Sequence, residues 1–452
     1  MKSLKNREFF RFSGILAAFS SLFIIFVGLQ EKGFLEPFSL AGWDFNQFST
    51  AKYIAVFSLY LVLLLALFFF PRKEERKAIL IGASFLFATL ICGKLSFLLY
   101  LGAALFYLAI HAKLAASFRA SLIFILYILF IFLALEALFP AKSAFFWYAY
   151  IFAGIFSIRF ILYLYHSFVY QKKERFGDYI LYIFCPAYFI ILPHIIVLPK
   201  FDYFKNSFCT QDNFINLLRS GLRKIALGLS ELFILAALLR IYFTHPLLKS
   251  IPAIEIPAHF VSYLLAITGY GNILLGLVRG LGFDIRSPFR KPFLSADILD
   301  FFDRTLSYFK DYLISVFFVP ASIVLRRLDS RLASFVSVLV AVTLGVTSYS
   351  FLTFGLEFCT MLNNSIRGPA SVFAGFALQA LYPVGIRGFS YWIFEIGKKS
   401  FILGILLGLQ LIYNQKVSAE GERPTLFSRF SGNVCVKLFQ VLAMLVIFYY
   451  IR

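Results

Sequence analysis

Long apolar runs separated by short polar connections dominate the sequence. The first run, Phe12 to Gln30, is long enough to span a bilayer, and no small-residue cleavage site follows a short apolar core, which predicts a retained helix rather than a signal peptide. The pattern predicts an all-α fold, a polytopic transmembrane helix bundle of roughly eleven to thirteen membrane segments. The other candidate spans are Tyr53 to Phe70, Ala78 to Ile91, Leu95 to Ile110, Ala120 to Phe139, Phe146 to Tyr165, Tyr179 to Leu198, Ile225 to Phe243, Phe260 to Leu281, Leu313 to Leu325, Phe335 to Phe354, Ala370 to Leu381, Phe401 to Tyr413 and Val436 to Ile451.

One stretch between two apolar runs differs from the rest. Phe283 to Tyr312 is rich in Asp, Arg and Lys and is interrupted by Pro288 and Pro292. A charged, proline-containing segment of this kind is typical of amphipathic helices that lie at the membrane interface. We therefore expect interfacial helices around residues 283–312, not a spanning helix.

Composition supports the membrane assignment. Of the 452 residues, 61% are hydrophobic and only 15% are charged, whereas an average soluble domain is roughly half apolar and about a quarter charged. The net charge of +20 could indicate nucleic acid, but the basic residues sit mostly in short loops, where they act as topological signals and contacts for anionic lipid. The five cysteines are scattered without metal spacing or a disulfide framework, and no metal site or cofactor is predicted.

Loop charges predict the orientation. Four cations precede the first span, the following loop has few, and the basic cluster Arg72 to Lys77 comes after the second span. The positive-inside bias therefore places the N-terminus in the cytoplasm, and Gln171 to Arg175 falls on the same side. The expected location is a cytoplasmic membrane, with the lipids as partners and no nucleic acid.

The central third contains a more specific pattern. Its core is Thr268-Gly269-Tyr270-Gly271-Asn272, then Gly276 to Phe283 (GLVRGLGF), then Ser287 to Ser295 (SPFRKPFLS). These stretches resemble motifs of the membrane-bound O-acyltransferase (MBOAT) family, in the bacterial branch that acylates extracytoplasmic polysaccharides and teichoic acids. Flanking stretches agree in order: Phe184 to Pro186, Arg219 to Gly228, Asp300 to Arg304 and Lys310 to Leu313.

The resemblance covers about residues 179–355 and implies an organisation. The chain is expected to form a single integral membrane domain over 1–452, with N-terminal spans over 1–178, an MBOAT-like core over 179–360 and C-terminal spans over 361–452. It also implies that Tyr270, Asn272, Thr347, Ser348 and Asn363 line an internal cavity. Lys310 and Asp311 correspond to a structural pair of the family.

The catalytic element of the family is degenerate here. The resemblance implies a membrane-embedded histidine that takes the proton of an acceptor hydroxyl as it attacks a thioester, a task suited to a pKa of about 6.5. Gly345 stands where that histidine belongs, and the two further histidine positions fall near Leu306 or Phe302 and near Phe358. No histidine occurs between Gly345 and Arg452. A glycine at this point is expected to leave room for a water, a headgroup or a wider ligand.

Other residues could replace the missing histidine as the general base. The five histidines are His111, His166, His194, His245 and His259, and only His259, at the start of the helix that carries Tyr270, is a candidate for a relocated base. Glu231 and Glu357 interrupt apolar runs, where carboxylates are costly enough to be functional by default. The plainer interpretation of both carboxylates is a buried pair with Lys or Arg.

Two function classes follow. The favoured one is a non-catalytic or divergent relative, a pseudoenzyme of the cell envelope that binds lipid or acyl groups or scaffolds a partner protein. The alternative is an O-acyltransferase, performing O-acetylation or a related transfer from a cytoplasmic thioester donor or carrier to a hydroxyl of an extracytoplasmic polysaccharide or lipid through a substitute base. A transporter is disfavoured, because no matching pair of Gly/Pro-broken helices stands out.

Overall fold

The structure is a computed structural model of the chain. It describes residues 12–22, 50–70, 72–92, 96–112, 158–170, 174–190, 199–209, 211–244, 252–290, 300, 303–304, 307–350, 397–398, 400–409 and 411–412. All statements below concern these residues.

Regular secondary structure in the described residues is helical, as the apolar runs predict. The helices are α1 (Phe12–Leu22), α2 (Thr50–Phe69), α3 (Lys73–Cys92), α4 (Ser96–His111), α5 (Ile158–Tyr170), α6 (Phe176–Ile183), α7 (Ala187–Ile190), α8 (Phe201–Asn206), α9 (Gln211–Thr244), α10 (Pro252–Gly280), α11 (Ser307–Leu313), a π-helical turn (Ile314–Phe318), α12 (Val319–Val324), α13 (Ser330–Ser350) and α14 (Ser400–Leu409). The chain divides into two compact units, the first formed by Met1–Phe130 and His166–Ser287 and the second by Ile131–Tyr165 and Pro288–Arg452.

Two of the described helical stretches are long and apolar enough to cross a membrane, Ser307–Val324 and Ser330–Thr347. That assignment rests on their length and composition. Shorter apolar helices are Phe12–Leu22, Ile54–Phe69, Leu99–His111 and Ser400–Leu409.

The first unit is built on a close antiparallel pair, α9 and α10. Gly228 faces Gly269 and Gly221 faces Gly276: a Cβ added to Gly228 would lie 2.4 Å from the carbonyl oxygen of Gly269, and one added to Gly221 would lie 2.6 Å from that of Gly276. Both pairs recur at a seven-residue interval, two helical turns, so they lie along one contact line. Small residues at such a line let helix backbones approach closely, as in membrane helix pairs.

The C-terminus of α10 is closed by a glycine in the left-handed region. Gly282 has a φ of +93°, which costs little only without a Cβ. The amide of Gly282 donates to the carbonyl of Arg279 (2.9 Å) and that of Phe283 donates to Val278 (3.3 Å), the paired bonds of a Schellman cap. Phe283 then forms an antiparallel bridge with Phe208, which joins the end of α10 to the segment before α9.

The predicted span Tyr179 to Leu198 is interrupted where it is described. α6 ends at Ile183 and α7 begins at Ala187, with Pro186 between them, because a proline removes a backbone donor and biases the preceding residue away from helix. The ion pair between Lys77 Nζ and Asp178 Oδ1 (2.6 Å) links α3 to α6.

Serine hydroxyls in several helices bond within their own helix. Ser84 donates to the carbonyl of Leu80 (2.9 Å), Ser230 to Ala226 (2.9 Å) and Ser334 to Ser330 (2.8 Å). Each bond reaches back four residues, to the carbonyl one turn earlier.

The second unit contains α11, the π-helical turn, α12, α13 and α14. Asp329 caps α13, since its Oδ1 accepts from the amides of Arg331 (2.9 Å) and Leu332 (3.3 Å). On α14, a Cβ added to Gly408 would lie 2.6 Å from the ring of Phe335, which shows how closely α14 packs on α13.

The expectation of interfacial helices over 283–312 needs correction at both described ends. Asp284–Arg290, which contains Pro288, is not helical, and Ser307 to Tyr312 forms the first turns of the apolar stretch Ser307–Val324. The charged residues Lys310 and Asp311 occupy one turn only, so they did not end the apolar helix. Residues 291–299 lie outside the described residues.

Candidate functional site

The second unit contains a cavity of about 330 Å³, with Val342 and Val346 of α13 in its lining. Its walls come from α11 and the π-helical turn on one side and from α13 and α14 on the other. The lining is apolar except for one lysine, Lys310. The lining residues are Phe309, Lys310, Leu313, Ile314, Phe318, Val338, Ala341, Val342, Val346, Leu403, Leu407 and Leu411.

The π-helical turn Ile314–Phe318 shapes one wall of the cavity. A π-helical turn changes the direction in which successive side chains point relative to a regular α-helix, and such turns are frequent at functional sites. Leu313, Ile314 and Phe318 all face the cavity. Pro320 follows at the start of α12, where the π-helical turn ends.

Gly345 is buried, and the space beside it is filled. A Cβ added there would lie 2.1 Å from Cδ2 of Leu313 and 3.3 Å from Cδ2 of Phe317. The expectation that this glycine leaves room for a water or a headgroup is therefore wrong, because Leu313 and Phe317 occupy that place. A histidine at this position would require Leu313 to change its rotamer.

Lys310 is one of the residues that line the cavity, and its ammonium group pairs with a carboxylate. Its Nζ forms an ion pair with Oδ1 of Asp303. Its neighbour Asp311 contributes its backbone carbonyl, which accepts from the hydroxyl of Ser315 (2.7 Å). Adjacent residues on a helix point in different directions, and this explains why Lys310 reaches a residue seven positions earlier rather than Asp311.

The other predicted cavity residues are divided between the units. Tyr270 and Asn272 are buried on α10 of the first unit, whereas Thr347 lies on α13 of the second, where its hydroxyl has no hydrogen-bond partner among the described residues. The side chains of Ser348 and His259, and all of Glu357 and Asn363, lie outside the described residues, as do Leu306 and Phe358.

Asn272 belongs to a polar network between α9 and α10. Its Nδ2 donates to Oε2 of Glu231 (2.9 Å), and its Oδ1 accepts from Nζ of Lys224 (3.4 Å). The carboxylate of Glu231 is thus held by an amide that is itself held by an ammonium group. The plainer interpretation of Glu231 expects a direct pair with Lys or Arg; the hydrogen bond given for this carboxylate comes from Asn272, and Lys224 bonds to that amide.

A polar depression of about 740 Å³ lies in the first unit. Arg279 lines it, but its guanidinium is engaged: Nε and Nη2 donate to the carbonyl of Ile285 (3.1 and 2.8 Å), and Nη1 donates to Ser220 Oγ (2.9 Å). Cys209 also lines the depression. The remaining lining residues are Tyr203, Asn206, Ser207, Phe208, Asn213, Asn216, Leu217, Ser220 and Asp284.

A buried arginine, Arg76, lies beside the Cys209 thiol. The Arg76 guanidinium carbon is 4.1 Å from the centre of the Phe214 ring, a cation–π arrangement. Burial raises the pKa of the Cys209 thiol, and the neighbouring Arg76 lowers it in part. Burial likewise lowers the pKa of Arg76.

Sequence reasoning missed one group with metal-ligand chemistry. His166, Glu174 and Asp202 come together in the first unit, although they are spread over 37 positions of the sequence and each looks unremarkable alone. No short-range spacing could have identified them.

No protein-family model and no curated protein matches this sequence. The likeness to O-acyltransferases therefore rests on the motifs between residues 179 and 355 alone.

Proposed function

We propose that this chain is a polytopic protein of a bacterial cytoplasmic membrane that binds the acyl chain of a lipid in the cavity of the second unit. In this proposal it is a divergent relative of the O-acyltransferases that has lost acyl transfer. The observation that carries the proposal is the apolar cavity lined by α11, the π-helical turn, α13 and α14.

The cavity has the size and lining that suit a hydrocarbon chain. Its volume of about 330 Å³ lies at the lower end of the roughly 300–1,000 Å³ common for ligand sites. Eleven of its twelve lining residues are apolar, so an alkyl chain would replace no hydrogen-bonded group on entering. Lys310 offers one cation to an anionic headgroup, at the cost of exchanging its present partner Asp303.

The lining of the cavity also supports the proposed loss of acyl transfer. A general base contributes typically about 10²–10⁴ in rate, and the lining holds neither a histidine nor a carboxylate. Leu313 and Phe317 fill the position beside Gly345. The alternative base Glu231 accepts a hydrogen bond from Asn272 in the first unit and is not among the residues that line this cavity.

The membrane part of the proposal rests on composition, on the two apolar helices and on the loop charges. A polytopic bundle with a cytoplasmic N-terminus satisfies the positive-inside bias of the first half of the chain. Cysteine accessibility from each side of sealed vesicles, with single cysteines in the loops after α2 and after α5, would test this orientation directly.

The binding experiment uses photoactivatable fatty acid with the purified protein in lipid bilayers. We expect labelling of α13 and α14 at the cavity that saturates and that unlabelled fatty acid displaces. Ala341→Phe should reduce this labelling, because Ala341 lines the cavity. Leu344→Phe is the matched control on the same helix, since Leu344 is 53% exposed and does not line the cavity.

Equal labelling of the wild type and Ala341→Phe would contradict the proposal. Labelling that unlabelled fatty acid cannot displace would contradict it too, because it would reflect contact with bulk lipid.

Acyl transfer is tested separately with a labelled thioester donor and polysaccharide acceptors. The proposal expects no turnover. Turnover that survives Glu231→Gln and Glu357→Gln but is lost in His259→Ala would refute the non-catalytic assignment and identify the substitute base.

A further inference from the structure

A histidine and two carboxylates from separate segments converge in the first unit. Nδ1 of His166 lies 3.1 Å from Oδ2 of Asp202, and Nε2 lies 3.5 Å from Oε1 of Glu174. One ligand atom from each residue falls within 4.8 Å of the other two. His166 and Glu174 are buried, whereas the side chain of Asp202 is 47% exposed.

Three local features hold these side chains in place. His166 occupies the last turns of α5, where its ring packs against the rings of Tyr170 and Phe201, each with a centroid distance of 4.9 Å. The backbone carbonyl of Glu174 accepts from the hydroxyl of Tyr107. Asp202 lies in the first turn of α8. A buried, braced histidine beside two carboxylates is organised before any ligand arrives.

The charges at this point favour an additional cation. Glu174 and Asp202 contribute two negative charges, and Lys205, which pairs with Oε2 of Glu174, contributes one positive charge. With a neutral imidazole, the group therefore carries a net charge of −1. Glu174 is already paired with Lys205, so the remaining negative charge is that of the half-exposed Asp202. A divalent ion between Oε1 of Glu174 and the imidazole would compensate it.

The spacing suits a first-row transition metal. Zinc binds histidine nitrogen and carboxylate oxygen at about 2.0–2.2 Å, so tetrahedral ligand atoms lie about 3.4 Å apart. The separation of 3.5 Å between His166 and Glu174 already matches this value. Asp202 faces the other ring nitrogen, Nδ1 (3.1 Å), so its half-exposed side chain would have to turn toward Nε2 to become the third ligand. Its exposed side provides the path of entry.

We propose that His166, Glu174 and Asp202 form a binding site for a divalent transition-metal ion of the zinc type. One nitrogen and two oxygen ligands suit zinc, cobalt or manganese better than the alkaline-earth ions, which prefer all-oxygen sites. The site holds α5, the connection after it and α8 together. It is independent of the proposed acyl-binding cavity.

Replacing Lys205 distinguishes a metal site from a cluster that is held together by ion pairs alone. The ammonium group of Lys205 lies next to the proposed ion and repels it. Lys205→Met should therefore raise the affinity for metal, on the order of tenfold. If the group were only a set of ion pairs, removing Lys205 would loosen Glu174 and would not increase binding of any ion.

The experiment titrates Zn²⁺, and Co²⁺ as a spectroscopic probe, into full-length, tag-free protein stripped of metal in detergent. We expect one ion per chain, loss of binding in His166→Gln, at least tenfold weaker binding in Asp202→Asn, and tighter binding in Lys205→Met. Asp284→Asn, an exposed carboxylate of the same unit, is the matched control and should bind as the wild type does.

Asp202→Asn keeps the test valid even if His166→Gln fails to fold, since Asp202 is partly exposed and its amide is isosteric. Wild-type protein that binds zinc no more tightly than Asp202→Asn would overturn the proposal. Weaker binding in folded Lys205→Met would also overturn it.

Discussion

Replacing Gly228 with alanine should destabilise the first unit strongly, although alanine is the better helix former. The new Cβ would lie 2.4 Å from the Gly269 carbonyl oxygen and 2.7 Å from Cγ1 of Ile273. Ordinary contact begins at about 3.4 Å, so α9 and α10 would have to separate by about 1 Å at this point. A backbone oxygen, unlike a flexible side-chain end, cannot rotate away.

The expected size follows from three contributions. Overpacking of this kind costs typically about 1–3 kcal/mol, and the separation would stretch the bond from Asn272 to Glu231, which adds about 1 kcal/mol. Alanine recovers about 1 kcal/mol of helix propensity. The net loss in the free energy of unfolding is therefore about 1–3 kcal/mol.

Gly82→Ala is the matched control. It makes the same substitution in helix α3, where nothing lies within 4 Å of the added Cβ, and it should stabilise by about 0.5–1 kcal/mol. Denaturant unfolding of both variants in detergent, followed by circular dichroism, measures the difference. If Gly228→Ala proves as stable as Gly82→Ala, the close approach of α9 and α10 is refuted.

Three further predictions follow from the described residues. Gly345→His should lower the free energy of unfolding by about 1–3 kcal/mol through its collision with Leu313, and it should confer no acyl transfer. Turnover in this variant would contradict the proposal, because it would show that the missing histidine alone accounts for the loss of acyl transfer. Because burial raises the pKa of the Cys209 thiol, its thiolate should form only above the usual pH range, and maleimide should label it more slowly near pH 8 than an exposed cysteine. Labelling should be slower still in Arg76→Met, which removes the group that lowers the pKa. Faster labelling in Arg76→Met would be the contrary result. Asp329→Ala should cost about 0.5–2 kcal/mol through loss of the α13 cap, while Asp329→Asn should retain most of it in the same unfolding assay.

The helical character of the chain could be predicted from hydropathy, but its interruptions could not be located equally well. The predicted spans Ile225 to Phe243 and Phe260 to Leu281 fall within or almost within α9 and α10, which extend further toward their N-termini as amphipathic or polar turns. The π-helical turn at Ile314–Phe318 leaves no trace in the sequence, because four of its five residues are apolar and suit either helix type. Local composition specifies a helix but not its hydrogen-bond register.

The contacts that shape the candidate sites are long-range, and this limits what the sequence predicts. The glycines of GLRKIALG and of GYGNILLG are visible at seven-residue spacing, yet only the fold shows that Gly228 meets Gly269. Gly345 was identified by its place in a motif, but its filled surroundings depend on Leu313, which belongs to another helix. His166, Glu174 and Asp202 are likewise joined by the packing of α5 against α8.

The serine bonds within helices bear on how polar residues in apolar segments are interpreted. A hydroxyl that donates to the carbonyl four residues earlier is satisfied without any neighbour, as at Ser84 and Ser230. Such a serine carries no information about which helix lies beside it. Counting hydroxyl residues in these segments would therefore overstate the attraction between helices. Replacing Ser84 or Ser230 with alanine would leave helix pairing unchanged, whereas replacing Asn272, which bonds across α9 and α10, would not.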